Sequence, residues 1–419
     1  MKKILLLLTV SLSLFSCTKT KGKISITYSK ASAVYGDLEA VRNQPLLTSQ
    51  QPLENPGKIY VGNDYILVGE KGKGIHIFDN NNMTNPIRLS FIQIPYNKEF
   101  FVKGNMLYAE SLYDFIKIDI SDVYNPVLID REKNVFGTPL TNDKGESLIK
   151  FNYTVATDEF ELNSPEAKEI EKQGKIHLDY KGKLIPESTV PTSFANSNNG
   201  AGTLNRIAVD FEHVYVLTGK KLHIIDNSSN DLSYIDNIDL DEGMETVYTY
   251  NEKIYIGSQD GLLTYNASTP SHPSKISEFN HNTSCDPVLP HDTRAFLTLR
   301  SVEHQGCNYE GENTLNVIDM SDEDEPVIAQ SIEMNTPYGM AIINDMLFVA
   351  QGENGFSIFD ISSDEEIEEM ATVTGIEAFD IMRHPSNPNI LLVTNTYGIK
   401  EYNIDYSTFI VSPIGTINY

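Results

Sequence analysis

Gly74-Ile75-His76-Ile77-Phe78-Asp79 is the stretch that decides the fold, because it returns. It recurs as Asp114-Phe115-Ile116-Lys117-Ile118-Asp119 and as Lys221-Leu222-His223-Ile224-Ile225-Asp226. Gly261–Asn266 (GLLTYN), Thr314–Asp319 (TLNVID), Gly355–Asp360 (GFSIFD) and Gly398–Asn403 (GIKEYN) complete seven copies. The last residue of the motif steps by 40 from Asp79 to Asp119, 40 from Asp226 to Asn266, 41 from Asp319 to Asp360 and 43 from Asp360 to Asn403. A period of about 40–45 residues, with four β-rich runs in each, is the signature of propeller blades.

The first repeat reads as runs at 58–61, 65–69, 75–79 and 87–94, and the second as 99–102, 106–110, 115–120 and 127–130. The later repeats start at Asn205, Glu245, Asp286, Tyr338 and Glu377. Pro86, Pro126, Pro273 and Pro326 each follow the motif's last residue by seven and mark the turn into the fourth strand, where a missing N–H is harmless. The expected fold is therefore all-β: a seven-bladed β-propeller of four-stranded antiparallel blades over 57–419, with six or eight blades as alternatives. Two intervals are too long, and insertions account for both. The larger insertion, 131–202, reads as an elaborated connection rather than a domain. It carries a helix at Pro165–Gln173 capped by Ser164, a strand pair at 176–180 and 183–185, and a flexible run at 193–202. Ahead of the repeats, 18–27 reads as a tether, 32–42 as a short helix and 43–56 as a loop.

Aromatic residues make up 10% of the chain and apolar residues 40%, enough to fill a core of strands. The formal charge is −26, which argues against nucleic acid and against direct adsorption to anionic lipid. The first residues form a basic start (Lys2, Lys3) and an apolar run from Ile4 to Leu14, too short to span a bilayer. That run ends in Leu14-Phe15-Ser16-Cys17, which resembles the lipobox of bacterial lipoproteins. The resemblance implies a signal peptide over 1–16, a lipid on Cys17 and a lipidated N-terminal segment over 17–56. Thr18 fits outer-membrane sorting, and the basic Lys19, Lys21 and Lys23 favour a periplasm-facing over a surface-exposed protein.

Leu222–Asp226 and Leu315–Asp319 resemble the LVIVD repeat of bacterial propeller-like secreted and lipoprotein chains. Tyr35–Arg42 (YGDLEAVR), Asn55–Ile59 and Gly69–Gly74 are similar to a Bacteroidetes lipoprotein subset of that family. The resemblance implies a β-propeller at the cell envelope and supplies no reaction.

Cys285 and Cys307 fall in the fifth repeat on one face of the disc, and an oxidising envelope compartment makes a disulfide the expected outcome. A metal site with His291 and His304 is the rival, although only the His304–Cys307 spacing suits zinc. The motif aspartates read as Asx-turn acceptors rather than a ring of ligands. Convergent groups are expected where the second strands end: Glu70, Glu110, Thr218, Ser258, Gln351 and Asn395, with Arg300, and in the adjacent loops Tyr113, Asp260, Glu353 and Tyr397. The acidic runs 322–325 and 364–366 read as solvated hairpin tips on the opposite face. Metalloprotease, hydrolase-elbow and phosphate-loop patterns do not occur. The sequence supports a non-enzymatic, lipid-anchored module that binds an envelope protein or glycan. It requires no cofactor and leaves room for a structural divalent cation. The alternatives are an envelope hydrolase or lyase using Glu70, Glu110 and Arg300, and a structural scaffold of an envelope complex.

Overall fold

Seven antiparallel sheets, each built from four consecutive strands, follow one another from Pro56 to Asn418 in the computed structural model. The structure describes residues 23–186, 206–210, 212–241, 243–258, 261–280, 288–300, 311, 313–363 and 366–419. The chain divides into two compact units. One comprises 37–147 and 191–419, the other 1–36 and 148–190.

In the larger unit the first sheet runs Pro56–Val61, Tyr65–Glu70, Gly74–Asp79 and Ile87–Gln93, and the second runs Phe100–Lys103, Met106–Ser111, Asp114–Asp119 and Val127–Glu132. First strands of neighbouring sheets lie against one another, as Pro56–Val61 does on Phe100–Lys103, so they are innermost. The quoted motif is the third strand of every sheet.

Alternation along that strand explains how the sheets stack. Side chains at successive positions point to opposite faces. Ile75 and Ile77 pack with Ile116 and Ile118 of the second sheet, whereas Phe78 packs with Leu392, Ile399 and Ile417 of the seventh. The same division recurs around the ring. Phe115 meets Ile225, Ile224 meets Val247, and Leu262 meets Ile318. Val317 then meets Phe359, and Ile358 meets Tyr402. Each apolar cluster bridges two consecutive sheets, and the last bridges the seventh sheet to the first. The unit is a β-propeller. Each fully buried Ile or Phe contributes about 1.5–3 kcal/mol, so closure rests on this stacking.

Two repeated details sharpen the motif. In all seven sheets the register of the fourth strand slips opposite the motif's fourth and fifth residues, for example between Ile77 and Phe78 and between Val317 and Ile318. Such a bulge adds twist to the outer edge. Asp79, Asp119, Asp226, Asn266, Asp319 and Asp360 each accept the backbone N–H two residues on, as Asx turns do. In the seventh sheet the third strand continues to Asp405, which takes that role by accepting from Ser407 N.

The seam between the seventh and first sheets also carries polar links. Asn80 Nδ2 donates to Glu401 Oε1 at 2.6 Å, with both side chains buried, and His384 Nε2 lies 2.9 Å from Asn63 O. Burial pushes the Glu401 carboxyl from the ordinary 4.5 up to about 7, against the opposing Asn80 hydrogen bond. The folded chain therefore keeps this proton up to about pH 7, and the unfolded chain releases it near 4.5. The resulting stability is fully present below 4.5 and is lost as pH rises through 7. Wild type should lose about 2–3 kcal/mol of stability between pH 5 and 8 that Glu401→Gln does not lose, read from urea unfolding at each pH. Equal slopes for the two proteins would refute it.

Three expectations about the N-terminal part are corrected. Lys23–Gly36 is a strand, not a tether followed by a helix; its run ISITYS alternates apolar and small polar residues. The helix is confined to Leu38–Arg42, with Asp37 rather than Ser32 as its cap, accepting from Glu39 N and Ala40 N. Within 43–56, Leu47–Thr48 pairs with the outer strand of the first sheet, opposite Ile92 and Phe91, and makes it five-stranded.

The smaller unit holds a sheet ordered Ser147–Glu161, Lys23–Gly36, Lys175–Leu178, Leu184–Ile185. The helix Pro165–Gln173 starts on Ser164, whose Oγ accepts Ala167 N, and ends at the left-handed Gly174. Its Ile170 packs on Tyr28 and Ile176. The described part of the insertion thus forms a compact unit with the N-terminal strand, not an unaccompanied connection. Its helix falls where the sequence placed it, and the strand pair is Lys175–Leu178 with Leu184–Ile185, shorter than the expected 176–180 and 183–185. The run 193–202 lies outside the described residues.

Candidate functional site

Glu70 ends the second strand of the first sheet, but it does not face solvent. It is fully buried. Its carboxylate accepts Glu54 N at 3.0 Å and Asn55 N at 2.9 Å, and lies 3.2 Å from His76 Nε2. A carboxylate can only accept here, so the ring carries its proton on Nε2. Burial, the largest influence, holds the His76 pKa below its ordinary value and the ring neutral. The group clamps the segment entering its own sheet.

The counterparts do similar work. Gln351 Nε2 donates to Ser357 Oγ at 2.7 Å, and its Oε1 accepts Asn335 N at 3.1 Å. Thr218 Oγ1 lies 2.8 Å from His223 Nε2, and Asn395 Oδ1 accepts Tyr397 N at 2.8 Å. Ser258 Oγ donates to Gly261 O at 3.1 Å. These polar strand ends are therefore not a solvent-facing rim. A buried polar group is stable only when hydrogen-bonded, and here each supplies a bond to its own sheet.

Of the other expected face residues, Tyr113 and Glu110 are buried, whereas Glu353 and Tyr397 are exposed, Tyr397 at 74%. The Arg300 guanidinium sits 3.9 Å from the centre of the Tyr338 ring, which in turn meets Phe379 edge-on at 5.0 Å. Asp260, Cys285, Cys307 and Cys17 lie outside the described residues.

A second group of charges lies one strand further in. Lys58, Glu99, Arg206 and Asp380 stand at or just before the innermost strands of the first, second, third and seventh sheets, with Glu110 behind Glu99. Lys58 and Glu99 are both buried, with Nζ and Oε1 3.9 Å apart. Burial pushes Glu99 up to about 7; Lys58 opposes the rise, the Glu110 charge adds to it, and Arg206 opposes it. Glu110 is raised by burial against Lys98 and Arg206. Lys58 is lowered by burial against Glu99 and Asp380. Arg206 is fixed by donating to Glu245 O at 3.2 Å and Met244 O at 3.0 Å, so it ties this cluster to the fourth sheet.

Lys58 and Glu99, from separate sheets, thus form a buried pair on the inner strands, with the half-buried Arg206 and the buried Asp380 acting on it through their charges. Such a pair can hold a charged or hydrogen-bonding moiety, and burial that opposes the charge of both partners is typical of functional sites. Sequence reading passed over Lys58, Glu99, Arg206 and Asp380 because it searched the second-strand ends. The available signal was a charge at or beside the start of the first strand in the first, second, third, fourth and seventh sheets: Lys58, Glu99, Arg206, Glu245 and Asp380. Among the described residues no three His, Cys, Asp or Glu side chains are grouped to hold a metal ion.

No family model and no curated protein matches this chain. Solved structures resemble it at low identity. A protein from Lactobacillus plantarum is 10% identical with a TM-score of 0.47, covering 94% of this chain and 97% of its own. BamB from Moraxella catarrhalis is 10% identical with a TM-score of 0.42, covering 81% and 82%. The computationally designed Ika8 protein is 9% identical with a TM-score of 0.47, covering 85% and 86%. The fold assignment rests on the sheets and their stacking, not on these likenesses.

Proposed function

We propose that this chain is a seven-bladed, lipid-anchored β-propeller of a bacterial envelope, of the LVIVD-repeat type, that recognises a protein or glycan partner without turning it over. The mixed sheet of 23–36 and 147–185 is then an accessory unit and not an eighth blade, since it contains a parallel pair and has a core of its own. One observation carries the non-enzymatic reading. The carboxylate best placed by sequence for acid–base work, Glu70, is occupied by two backbone amides and a histidine. A general acid or base must reach a substrate proton, and a fully clamped carboxylate does not.

The Leu14–Cys17 lipobox supports attachment through Cys17, with the periplasmic side of an outer membrane favoured by Lys19, Lys21 and Lys23. Cells fed an alkyne fatty acid should label the wild-type chain, and Cys17→Ala should lose both the label and the membrane fraction. Affinity capture from detergent-solubilised native membranes should recover a stoichiometric partner. Capture of nothing, together with turnover of a small-molecule panel, would overturn this reading.

One observation favours a second reading. Glu99 combines burial, a carboxyl pushed up to about 7 and an adjacent lysine, so an envelope hydrolase or lyase would run through Glu99 rather than Glu70. In that case Glu99→Gln abolishes turnover. Under the binding reading it changes partner affinity alone.

A further inference from the structure

The outer strand of the fifth sheet, Val327–Glu333, is an edge with unusual chemistry for an exposed position. Open edges are normally blunted by charge, proline or a covering segment. The other outer strands show these devices. Val127–Glu132 carries Asp130, Arg131 and Glu132, and Ser233–Asp239 carries Asp236 and Asp239. Ser274–Asn280 has Lys275 and Glu278, Glu368–Val373 opens with two glutamates, and Ile410–Asn418 contains Pro413. Ile87–Gln93 is covered by Leu47–Thr48. Val327–Glu333 has no proline, and its one charge, Glu333, stands at its last position, so the six residues before it carry none. Val327 and Ile328 are 56% and 48% exposed, Ala329 and Ser331 are exposed too, and no described residue pairs with this edge.

We propose that this edge is a docking site for an extended, basic β-strand of a partner protein, which adds to the fifth sheet as its fifth strand. Two observations select that occupant. The first sheet shows that the outer edge accepts a strand: Leu47 pairs opposite Ile92 and Thr48 opposite Phe91, and Gln93 N donates to Leu46 O at 2.7 Å. Ile92, Phe91 and Gln93 face Ile75, His76 and Gly74; in the fifth sheet Ile332, Ser331 and Glu333 face Leu315, Asn316 and Thr314. The corresponding receptor segment is therefore Ser331–Glu333. The second observation is charge. The edge is entered through the exposed run Asp322-Glu323-Asp324-Glu325, of which Glu323 already meets Lys253 Nζ at 2.5 Å. A lysine-bearing strand complements that run; a second copy of this chain, formally −26, does not. Main-chain bonds supply affinity in this mode and side chains select the partner. The site lies on the outermost strand, apart from the inner-strand cluster, and does not depend on it.

The test uses the full chain and a fluorescent peptide, Lys-Val-Lys-Val-Thr-Val-Lys, read by anisotropy and by hydrogen–deuterium exchange. Residues two apart in a strand point their N–H groups to the same side. The outward N–H of Gln93 thus identifies Ser331 and Glu333 as the outward donors here. Binding should protect amides in 327–333. Ser331→Pro should weaken binding about tenfold or more, by removing one such donor at the edge. Asp324→Asn with Glu325→Gln should weaken it and flatten its salt dependence, which keeps the test open should the proline variant not fold. The same peptide with Glu for Lys should not bind. Absence of binding, protection elsewhere, affinity unchanged in both variants, or sedimentation showing copies of the chain associating through this edge would each overturn the proposal.

Discussion

Gly355→Ala should destabilise the propeller by about 3–4 kcal/mol, a large effect for the addition of one methyl group. Gly355 immediately precedes the third strand of the sixth sheet, Phe356–Asp360, with φ at +83°, where a side chain is strained. A Cβ there would also overlap the carbonyl oxygen of Val373, in the outer strand of the same sheet. That carbonyl is held by the ladder, so relief requires moving backbone, not rotating a side chain. Urea unfolding followed by circular dichroism would measure the loss. Gly72→Ala is the control, because its φ is also positive at +79° but nothing lies within 4 Å of the added Cβ. Similar losses for the two variants would show that conformational strain, not overlap, accounts for the motif's glycine.

The second large effect is expected at Asp114. Its carboxylate takes a two-pronged bond from Arg42, Nε at 2.8 Å and Nη2 at 2.6 Å, and accepts from Arg131 Nη1 at 3.1 Å and from Asn134 N at 3.0 Å. Both Arg42 and Asp114 are almost wholly buried. Removing one partner leaves a buried charge uncompensated, which typically costs about 3–5 kcal/mol. Asp114→Ala should therefore be worse than Arg42→Ala: it removes the carboxylate shared by two guanidinium groups, leaving Arg42 to Glu39 and Asn134 and Arg131 to Ser111, whereas Arg42→Ala leaves a carboxylate that keeps Arg131. A double-mutant cycle should give strong coupling between Arg42 and Asp114. Additive losses would show that the helix Leu38–Arg42 is not fastened through this pair.

The same network explains why Tyr35–Arg42 stood out as a motif before its role was visible. Asp37 caps the helix, Glu39 meets Arg42 and Lys133, and Arg42 reaches Asp114 on the second sheet's motif strand. The pattern records a fastening, not a reaction. The acidic ends of the second strands carried a similar ambiguity. A carboxylate at a strand end suits equally a water-facing rim and an internal clamp, and only the position of Glu54 N, Asn55 N and His76 assigns Glu70 to the clamp.

Local chemistry alone determined a good deal. The period of about 40 residues, the alternation within each motif strand, and the prolines before the fourth strands follow from backbone geometry, so their outcome was legible without neighbours. The Asx turns and the capped helix Pro165–Gln173 were legible for the same reason, being satisfied within a few residues of chain. Tertiary structure decided what distant segments share. Lys23–Gly36 is a strand because Lys175–Leu178, some 140 residues later, lies beside it in parallel. Lys58 and Glu99 become a buried pair because two innermost strands stack, and Glu401 becomes a neutral acid because the seventh sheet closes on the first. Desolvation and pairing depend on three-dimensional neighbours, and the spacing of residues along the chain does not encode them.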